Sequence, residues 1–250
     1  DWTVKQYRDL VFKSQKEVQK LGWIASFLEN HDQPRSIDKL ILDPADRNYY
    51  SKTMIAGMFF NLRGTPFIYQ GEEIGMENFK RTSIEQFDDI GSRGQYERAI
   101  EEGYTKEEAL HFLNLRSRDN TRTPMQWDNS EYAGFSDTKP WILMAGNQDQ
   151  FNVENQIHDP KSVYSFYKRM IAVRKQEDTL VYGDFEGLEN YPDDVIAYKR
   201  IYNGETITCL CNFSHDPQPI EKATGNVLLN NYENYTVGTL QPFQFVMIKD

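Results

Sequence analysis

Cysteine and histidine are scarce in this 250-residue chain, which contains 2 Cys and 4 His. Cys209 and Cys211 are two residues apart on a predicted strand, a spacing that puts them on one face but in poor geometry for a disulfide. Two thiols without a disulfide framework indicate a reducing compartment, so we expect a cytoplasmic protein. No two histidines stand at metal-ligand spacing and no cysteine cluster exists, so we expect neither a metal nor a cofactor in this chain.

Basic residues are also in deficit, with 28 Lys and Arg against 38 Asp and Glu and a formal net charge of −10. A nucleic-acid surface needs a local basic patch, and none is evident, so we expect no nucleic-acid partner. The longest apolar runs, such as residues 54–60, fall far short of the ~20 residues of a membrane span, so we expect no membrane association. The chain shows no signal peptide. It starts with Asp1 and not with Met, which predicts that it starts inside a longer protein.

Helix and strand patterns alternate at the start of the chain. Thr3 is placed to cap a helix that ends at Gly22, and residues 23–28 form the short apolar run of a buried parallel strand. A second helix is predicted over 48–62, and a second buried strand over 66–69. Two strands cannot close a barrel, so if these elements belong to an α/β barrel, the chain contains only the end of it.

Residues 72–160 form a long insertion rich in turn-forming residues, with one helix predicted over 95–115 and a break at Gly103. Residues 162–176 have the apolar spacing of an amphipathic helix. From residue 177 onward the pattern is that of strands, and Asn203-Gly204 is a favoured hairpin turn. We therefore expect barrel elements over 1–176 and an antiparallel all-β domain over 177–250.

Polar residues follow both predicted strands, and catalytic groups occupy such carboxyl-terminal strand ends in sheets and barrels. Residues 29–35 (ENHDQPR) follow the first strand and residues 70–73 (QGEE) the second. Asp32 beside His31 could be a general acid or base, a stabiliser of a cationic transition state, or a metal ligand. Asn30, Asp32 and Pro34 could equally do no more than shape a turn, and the residues alone leave both interpretations open.

Three arginines, Arg116, Arg118 and Arg122, stand among turn formers shortly before Trp127. They could clamp a polyhydroxylated or anionic group, or form surface ion pairs of little energetic value. On the residues alone, the surface interpretation is favoured.

Three segments together resemble the α-amylase family of glycoside hydrolases (glycoside hydrolase family 13). Residues 27–35 (FLENHDQPR) and 64–76 (GTPFIYQGEEIGM) resemble the segments at the ends of its seventh and eighth barrel strands. Residues 117–127 (SRDNTRTPMQW) are similar to a stretch typical of its oligo-1,6-glucosidase and α-glucosidase branch. The segments occur in the family's order, and the resemblance covers essentially the whole chain as a carboxyl-terminal portion.

The resemblance implies the last part of a (β/α)8 TIM barrel followed by an antiparallel β-sandwich. It implies part of a retaining α-glucosidase that acts on short oligosaccharides of the isomaltose or maltose type. Asp32 matches the catalytic carboxylate that stabilises the transition state, His31 and Arg122 match sugar-binding residues, and Arg35 is a neighbour in the site. The nucleophile and the acid would lie upstream, in a missing amino-terminal part of the barrel that this chain needs as its partner. A non-catalytic sugar-binding or assembly module on the same scaffold is the alternative.

The sequence departs from the family pattern at two places. Glu29 stands where an asparagine is more usual, and Gly91 stands where many relatives have a glutamate on the leaving-group side. The linkage preference is therefore open between α-1,6 bonds, α-1,4 bonds, sucrose-type bonds and a phosphorylated disaccharide.

Overall fold

Helices and parallel strands alternate up to residue 67 in the computed structural model, which describes residues 2–250. The elements in this part are α1 (Val4–Val18), β1 (Ala25–Phe27), α2 (Ser36–Leu40), α3 (Tyr49–Phe60) and β2 (Thr65–Phe67). Thr3 and Asn48 cap α1 and α3 through capping boxes, so the predicted starts of both helices are confirmed. β1 and β2 pair in parallel, from Ala25 opposite Thr65 to Phe27 opposite Phe67.

The middle of the chain is largely irregular and contains α4 (Ile90–Glu101), α5 (Lys106–Arg116), α6 (Val153–Ile157) and α7 (Val163–Gln176). The helical segment predicted over 95–115 forms two helices, α4 and α5, and the predicted break at Gly103 is confirmed. Gly103, at φ +93°, lies in the turn between them, and Thr105 caps α5. The first of the two starts earlier than predicted, because Asp89 caps α4 by accepting a hydrogen bond from the Ser92 N–H.

The last part of the chain begins with the short helix α8 (Asp178–Tyr182) and continues in strands. These are β3 (Asp184–Leu188), β4 (Val195–Tyr202), β5 (Glu205–Asn212), β6 (Gln218–Pro219), β7 (Asn226–Asn230), β8 (Thr239–Leu240) and β9 (Phe245–Lys249). Five of them form an antiparallel sheet in the order β3-β4-β5-β9-β7, and β6 pairs with β8. Asn203 and Gly204, both at positive φ, make the predicted hairpin turn. The antiparallel sheet agrees with the predicted all-β character, while the closed barrel and the sandwich stay predictions.

The chain divides into two compact units. The first, here called the sheet unit, comprises the chain up to Phe27 together with Ala45–Phe67 and Phe166–Asp250. Its sheet packs on α1 and α3: the rings of Phe12 and Phe185 lie 5.5 Å apart, and the Tyr198 hydroxyl donates to the Met58 carbonyl at 2.7 Å. The predicted organisation into 1–176 and 177–250 stays a prediction.

The second unit, here called the loop unit, comprises Leu28–Pro44 and Ile68–Ser165. It contains the segments that follow β1 and β2 and most of the long insertion. Ile74, Met76 and Met125 form its apolar cluster, with partly buried Phe151, Val153 and Tyr164 packed against it. All of the predicted site residues belong to this unit.

Cys209 and Cys211 are buried free thiols on β5, and burial raises the pKa of Cys209 to about 12. No helix in the described part of the chain combines the length and the hydropathy of a bilayer-spanning segment.

Candidate active site

The loop after β1 turns on Asn30 and leaves the side chain of Asp32 facing outward. The side-chain oxygen of Asn30 accepts a hydrogen bond from the Asp32 N–H at 2.8 Å, an Asx turn that sets the local backbone. Asn30 therefore shapes the turn. The Asp32 carboxylate takes no part in it and is half exposed, at 50 %.

Two arginines from the segment after α5 converge on one oxygen of this carboxylate. Oδ1 of Asp32 accepts from Nη1 of Arg118 at 3.1 Å and from Nη2 of Arg122 at 2.9 Å. Nε2 of His31 lies 3.3 Å from the other oxygen, Oδ2. The structure thus brings Asp32, His31 and Arg122 together as a charged cluster open to solvent, although Arg122 is 90 residues from Asp32 in sequence.

The cluster keeps Asp32 ionised. Hydrogen bonding from Arg118 is the largest influence that lowers the pKa of Asp32, and the charges of His31, Arg118 and Arg122 act in the same direction. A carboxyl group with a lowered pKa is a poor proton donor at neutral pH, so the environment favours an acceptor of hydrogen bonds or a stabiliser of positive charge over a general acid.

Side-chain hydrogen bonds hold the backbone carbonyl groups next to this cluster. Nε of Arg122 donates to the His31 carbonyl at 2.8 Å, and the Thr121 hydroxyl donates to the Gln33 carbonyl at 2.7 Å. The side-chain amide of Gln70, from the segment after β2, donates to the Thr121 carbonyl at 3.1 Å. Three chain segments therefore meet at Thr121, which fixes where the neighbouring Arg122 points.

Arg35 does not join the other predicted site residues. Its side chain is fully buried and pairs with Glu29 through a contact of 2.9 Å between Nη1 and Oε2. Nη1 also donates to the Gln70 carbonyl at 2.8 Å. In this structure the Arg35 guanidinium has no exposed surface to offer a sugar, and its contacts are structural.

Arg118 is the site residue that sequence reasoning left unassigned. The signal was the spacing of four residues between Arg118 and Arg122, but nothing local showed that the two would meet on Asp32. Buried side chains hold the segment between them. Asp119 accepts hydrogen bonds from the N–H groups of Asp88 and Asp89, and Asn120 accepts one from Arg81. No group of three or more His, Cys, Asp or Glu within residues 2–250 is arranged to hold a metal ion.

The family model for the alpha-amylase catalytic domain matches residues 1–183. The oligo-1,6-glucosidase of Halalkalibacterium halodurans is 35% identical over 96% of this chain and 45% of that protein. The trehalose-6-phosphate hydrolase of Escherichia coli is 36% identical over 93% of this chain and 43% of that protein. The chain therefore spans less than half the length of these curated relatives.

Solved structures agree over the whole length of the chain. The trehalulose synthase from Pseudomonas mesoacidophila MX-45 superposes with a TM-score of 0.92 at 35% identity, covering 100% of this chain and 47% of that one. A variant of this synthase, with the same score and identity, was solved with its substrate sucrose. The isomaltulose synthase from Klebsiella sp. LX3 superposes with a TM-score of 0.91 at 32% identity, covering 100% of this chain and 47% of that one.

Proposed function

The chain belongs to the alpha-amylase family, and we propose that it is the carboxyl-terminal part of a retaining α-glucosidase acting on short oligosaccharides of the isomaltose or maltose type. The observation that carries this proposal is the ionised, half-exposed carboxylate of Asp32 with Arg122 and His31 on its two oxygens. A non-catalytic scaffold does not need these three charged side chains together in a solvent-open site, so their presence favours the enzyme.

In this proposal Asp32 accepts hydrogen bonds from hydroxyl groups of the glucose ring and stabilises the positive charge of an oxocarbenium-like transition state. Oδ1 accepts hydrogen bonds from both Arg118 and Arg122, whereas Oδ2 lies next to Nε2 of His31. We therefore assign Oδ2 to the sugar. Nε2 of His31 is placed to donate to the same sugar. Arg122 anchors a glucose hydroxyl as well as Asp32, since a guanidinium has five N–H donors.

We place the nucleophile and the acid upstream of the 250 residues, in the rest of the barrel. Support comes from the relatives, of whose length this chain covers about 45%. It also comes from β1 and β2, which pair only with each other within the described chain and so have one free edge each. An apolar groove beside β1, lined by Leu10, Val11, Ile24, Phe27 and Phe59 among others, is the surface we assign to that upstream part.

Similarity to these relatives does not by itself determine which glycosidic linkage is hydrolysed. The relatives include oligo-1,6-glucosidases, a trehalose-6-phosphate hydrolase and a palatinase. We favour isomaltose and maltose type substrates because several of the similar relatives are oligo-1,6-glucosidases and another is an alpha-glucosidase. Cytoplasmic location stays a prediction from the two thiols, and the proposal calls on no metal or cofactor.

The test is hydrolysis of p-nitrophenyl α-glucoside by the 250-residue chain and by a protein extended upstream. We expect no activity from the short chain and turnover by the extended protein, with the α-anomer of glucose as the first product seen by NMR. Activity in the short chain alone would contradict the proposal, because Glu72, Glu73 or Asp89 would then have to carry the chemistry. Sugar binding without turnover by the extended protein would instead support the non-catalytic module.

A panel of isomaltose, maltose, sucrose and trehalose 6-phosphate decides the substrate class. The proposal predicts the highest kcat/KM on isomaltose or maltose. A preference for sucrose or for the phosphorylated disaccharide would overturn this part and leave the glycosidase assignment in place.

A further inference from the structure

Arg118 stands between two carboxylates. Its Nε and Nη2 contact Oδ1 of Asp89 at 2.7 and 2.6 Å, and its Nη1 reaches Oδ1 of Asp32 at 3.1 Å. The two carboxylates differ in exposure, 7% for Asp89 and 50% for Asp32. Arg118 is therefore anchored at a buried end and presents its other end to the exposed carboxylate.

Asp89 is itself held in place by several partners. Its Oδ2 accepts from the N–H and the hydroxyl of Ser92, at 2.9 and 3.0 Å, where it caps α4. Its own N–H donates to Oδ2 of Asp119 at 3.0 Å, and Asp119 is buried. With both its backbone and one side-chain oxygen fixed, Asp89 offers Oδ1 to Arg118 in one orientation.

The second arginine on Asp32 has a different anchor. Nε of Arg122 donates to the His31 carbonyl, so Arg122 needs no carboxylate behind it. Arg118 is 41% exposed, and its link to Asp32 is the longer of the two arginine contacts. Without its double contact to Asp89, this long side chain would regain its rotamer freedom and turn to solvent.

We propose that Asp89 is a positioning residue that holds Arg118 against Asp32 and so fixes the orientation of the Asp32 carboxylate. This inference rests on the proposed function, since it assigns Asp89 a part in the same reaction. The charges agree with it: the pKa of Arg118 is raised first by Asp89 and then by Asp32. Burial raises the pKa of Asp89, but hydrogen bonds from Arg118 and Ser92 outweigh it and the net pKa is lowered.

The experiment compares Asp89→Asn, Arg118→Met and the double variant in the protein extended upstream. We expect Asp89→Asn to lower kcat about 10- to 100-fold with a smaller change in KM, because a misplaced catalytic group costs most in the transition state. The acidic limb of the pH profile of kcat/KM should move to higher pH, because Asp32 loses its largest pKa-lowering partner. His31 and Arg122 also face Asp32, and they are the same in every variant.

The double variant shows whether Asp89 acts through Arg118. In the Arg118→Met background, Asp89→Asn should move the acidic limb no further. An equal additional shift in that background would mean that Asp89 acts on its own, and the proposal would be wrong.

Thr105→Ala is the matched control for a purely structural role. Thr105 caps α5 as Asp89 caps α4, with its hydroxyl accepting from the Glu108 N–H at 3.2 Å, and it has no contact with Asp32 or Arg118 among the hydrogen bonds described. It should lower stability and leave the acidic limb in place. If Asp89→Asn does the same, Asp89 is only a helix cap and the positioning role is refuted.

A readout without turnover separates this inference from the proposed function. The ¹³C-carboxyl resonance of Asp32, identified by its loss in Asp32→Asn, is titrated in the extended protein and in its Asp89→Asn variant. We expect the pKa of Asp32 to rise in the variant, and an unchanged pKa would overturn the inference. Should the extended protein hydrolyse no α-glucoside, the proposed function fails, while this titration still decides the positioning role.

Discussion

Nη1 of Arg35 lies 2.9 Å from Oε2 of Glu29, and both side chains are buried, at 0% and 2% exposure. The other oxygen of Glu29 accepts from the N–H and the hydroxyl of Ser36, both at 2.8 Å. Arg35 also donates to the Gln70 carbonyl. Glu29, which departs from the asparagine usual in this family pattern, is thus the carboxylate that balances a buried guanidinium between the segments after β1 and β2.

Removing one member of this pair should destabilise the protein strongly. Glu29→Gln or Arg35→Met leaves the partner buried and unbalanced, and we expect the free energy of unfolding to fall by about 3–5 kcal/mol in each single variant. The double variant should lose less than the sum of the two. Urea unfolding of the extended protein measures all three, with exposed Glu186→Gln as the control expected to change little. Additive losses would show that the pair is not coupled.

Gly57 in α3 gives a sharp packing prediction. A Cβ atom at this position would lie 2.5 Å from Cγ of the fully buried Phe245 ring on β9. Gly57→Ala should therefore lower the free energy of unfolding by about 1–3 kcal/mol, although alanine is the better helix former by about 1 kcal/mol.

Gly94 in α4 is the matched control for this change, because nothing lies within 4 Å of the Cβ that an alanine would add. Gly94→Ala should raise the free energy of unfolding by about 0.5–1 kcal/mol. Urea unfolding compares the two variants. If both substitutions stabilise the protein, the packing of α3 against β9 is not as described.

Arg122→Lys tests the sugar-anchoring role of this arginine. A lysine loses the Nε–H that donates to the His31 carbonyl and the fork that reaches Asp32, so it presents a mobile point charge to the substrate. We expect KM to rise about 10- to 100-fold in the extended protein, the cost of losing a hydrogen bond from a charged group to a sugar hydroxyl. Steady-state kinetics measure it, and Arg116→Lys, an exposed arginine of the same segment, should leave KM unchanged. A KM unchanged in Arg122→Lys would remove Arg122 from the substrate site.

The lowered pKa of Asp89 predicts how stability depends on pH. A carboxyl group whose pKa is lower in the folded state stabilises the protein above its unfolded pKa of about 3.9, and this contribution disappears as the pH falls through the folded pKa. The gap in free energy of unfolding between the parent protein and Asp89→Asn should be constant above about pH 5 and shrink below about pH 4. Urea unfolding at pH 7, 4 and 3 measures it. A gap that stays the same at pH 3 would show that the charge of Asp89 contributes no stability.

Local signals predicted much of the fold. Thr3 caps α1 as expected and α3 starts after Asn48 as expected, since helix starts depend on residues within one turn. Asn203-Gly204 predicted its hairpin for the same reason. The start of α4 was missed because the helix buries little of its surface, and an apolar period is the main signal from which a helix is read.

The candidate site was less accessible to sequence reasoning. The family resemblance supplied Asp32, His31 and Arg122, but a contact between residues 90 positions apart is a property of the folded chain alone. Arg35 is buried because Glu29 pairs with it. In the sequence, Glu29 stood out only as a departure from the family pattern, and nothing there indicated that it would pair with Arg35. Arg118 went unassigned because both of its partners, Asp32 and Asp89, come from distant segments.

We propose that Asp32 stabilises the transition state of α-glucoside hydrolysis, and kcat of Asp32→Asn in the extended protein tests this role most directly. We expect kcat on p-nitrophenyl α-glucoside to fall by about 10²–10³-fold or more, the usual cost of losing one electrostatic stabiliser, with an unchanged circular dichroism spectrum. Asp149→Asn, an exposed aspartate in the same unit, should retain the parent rate. A near-normal kcat in Asp32→Asn would contradict this role and leave the contacts of Asp32 with Arg118 and Arg122 as surface ion pairs.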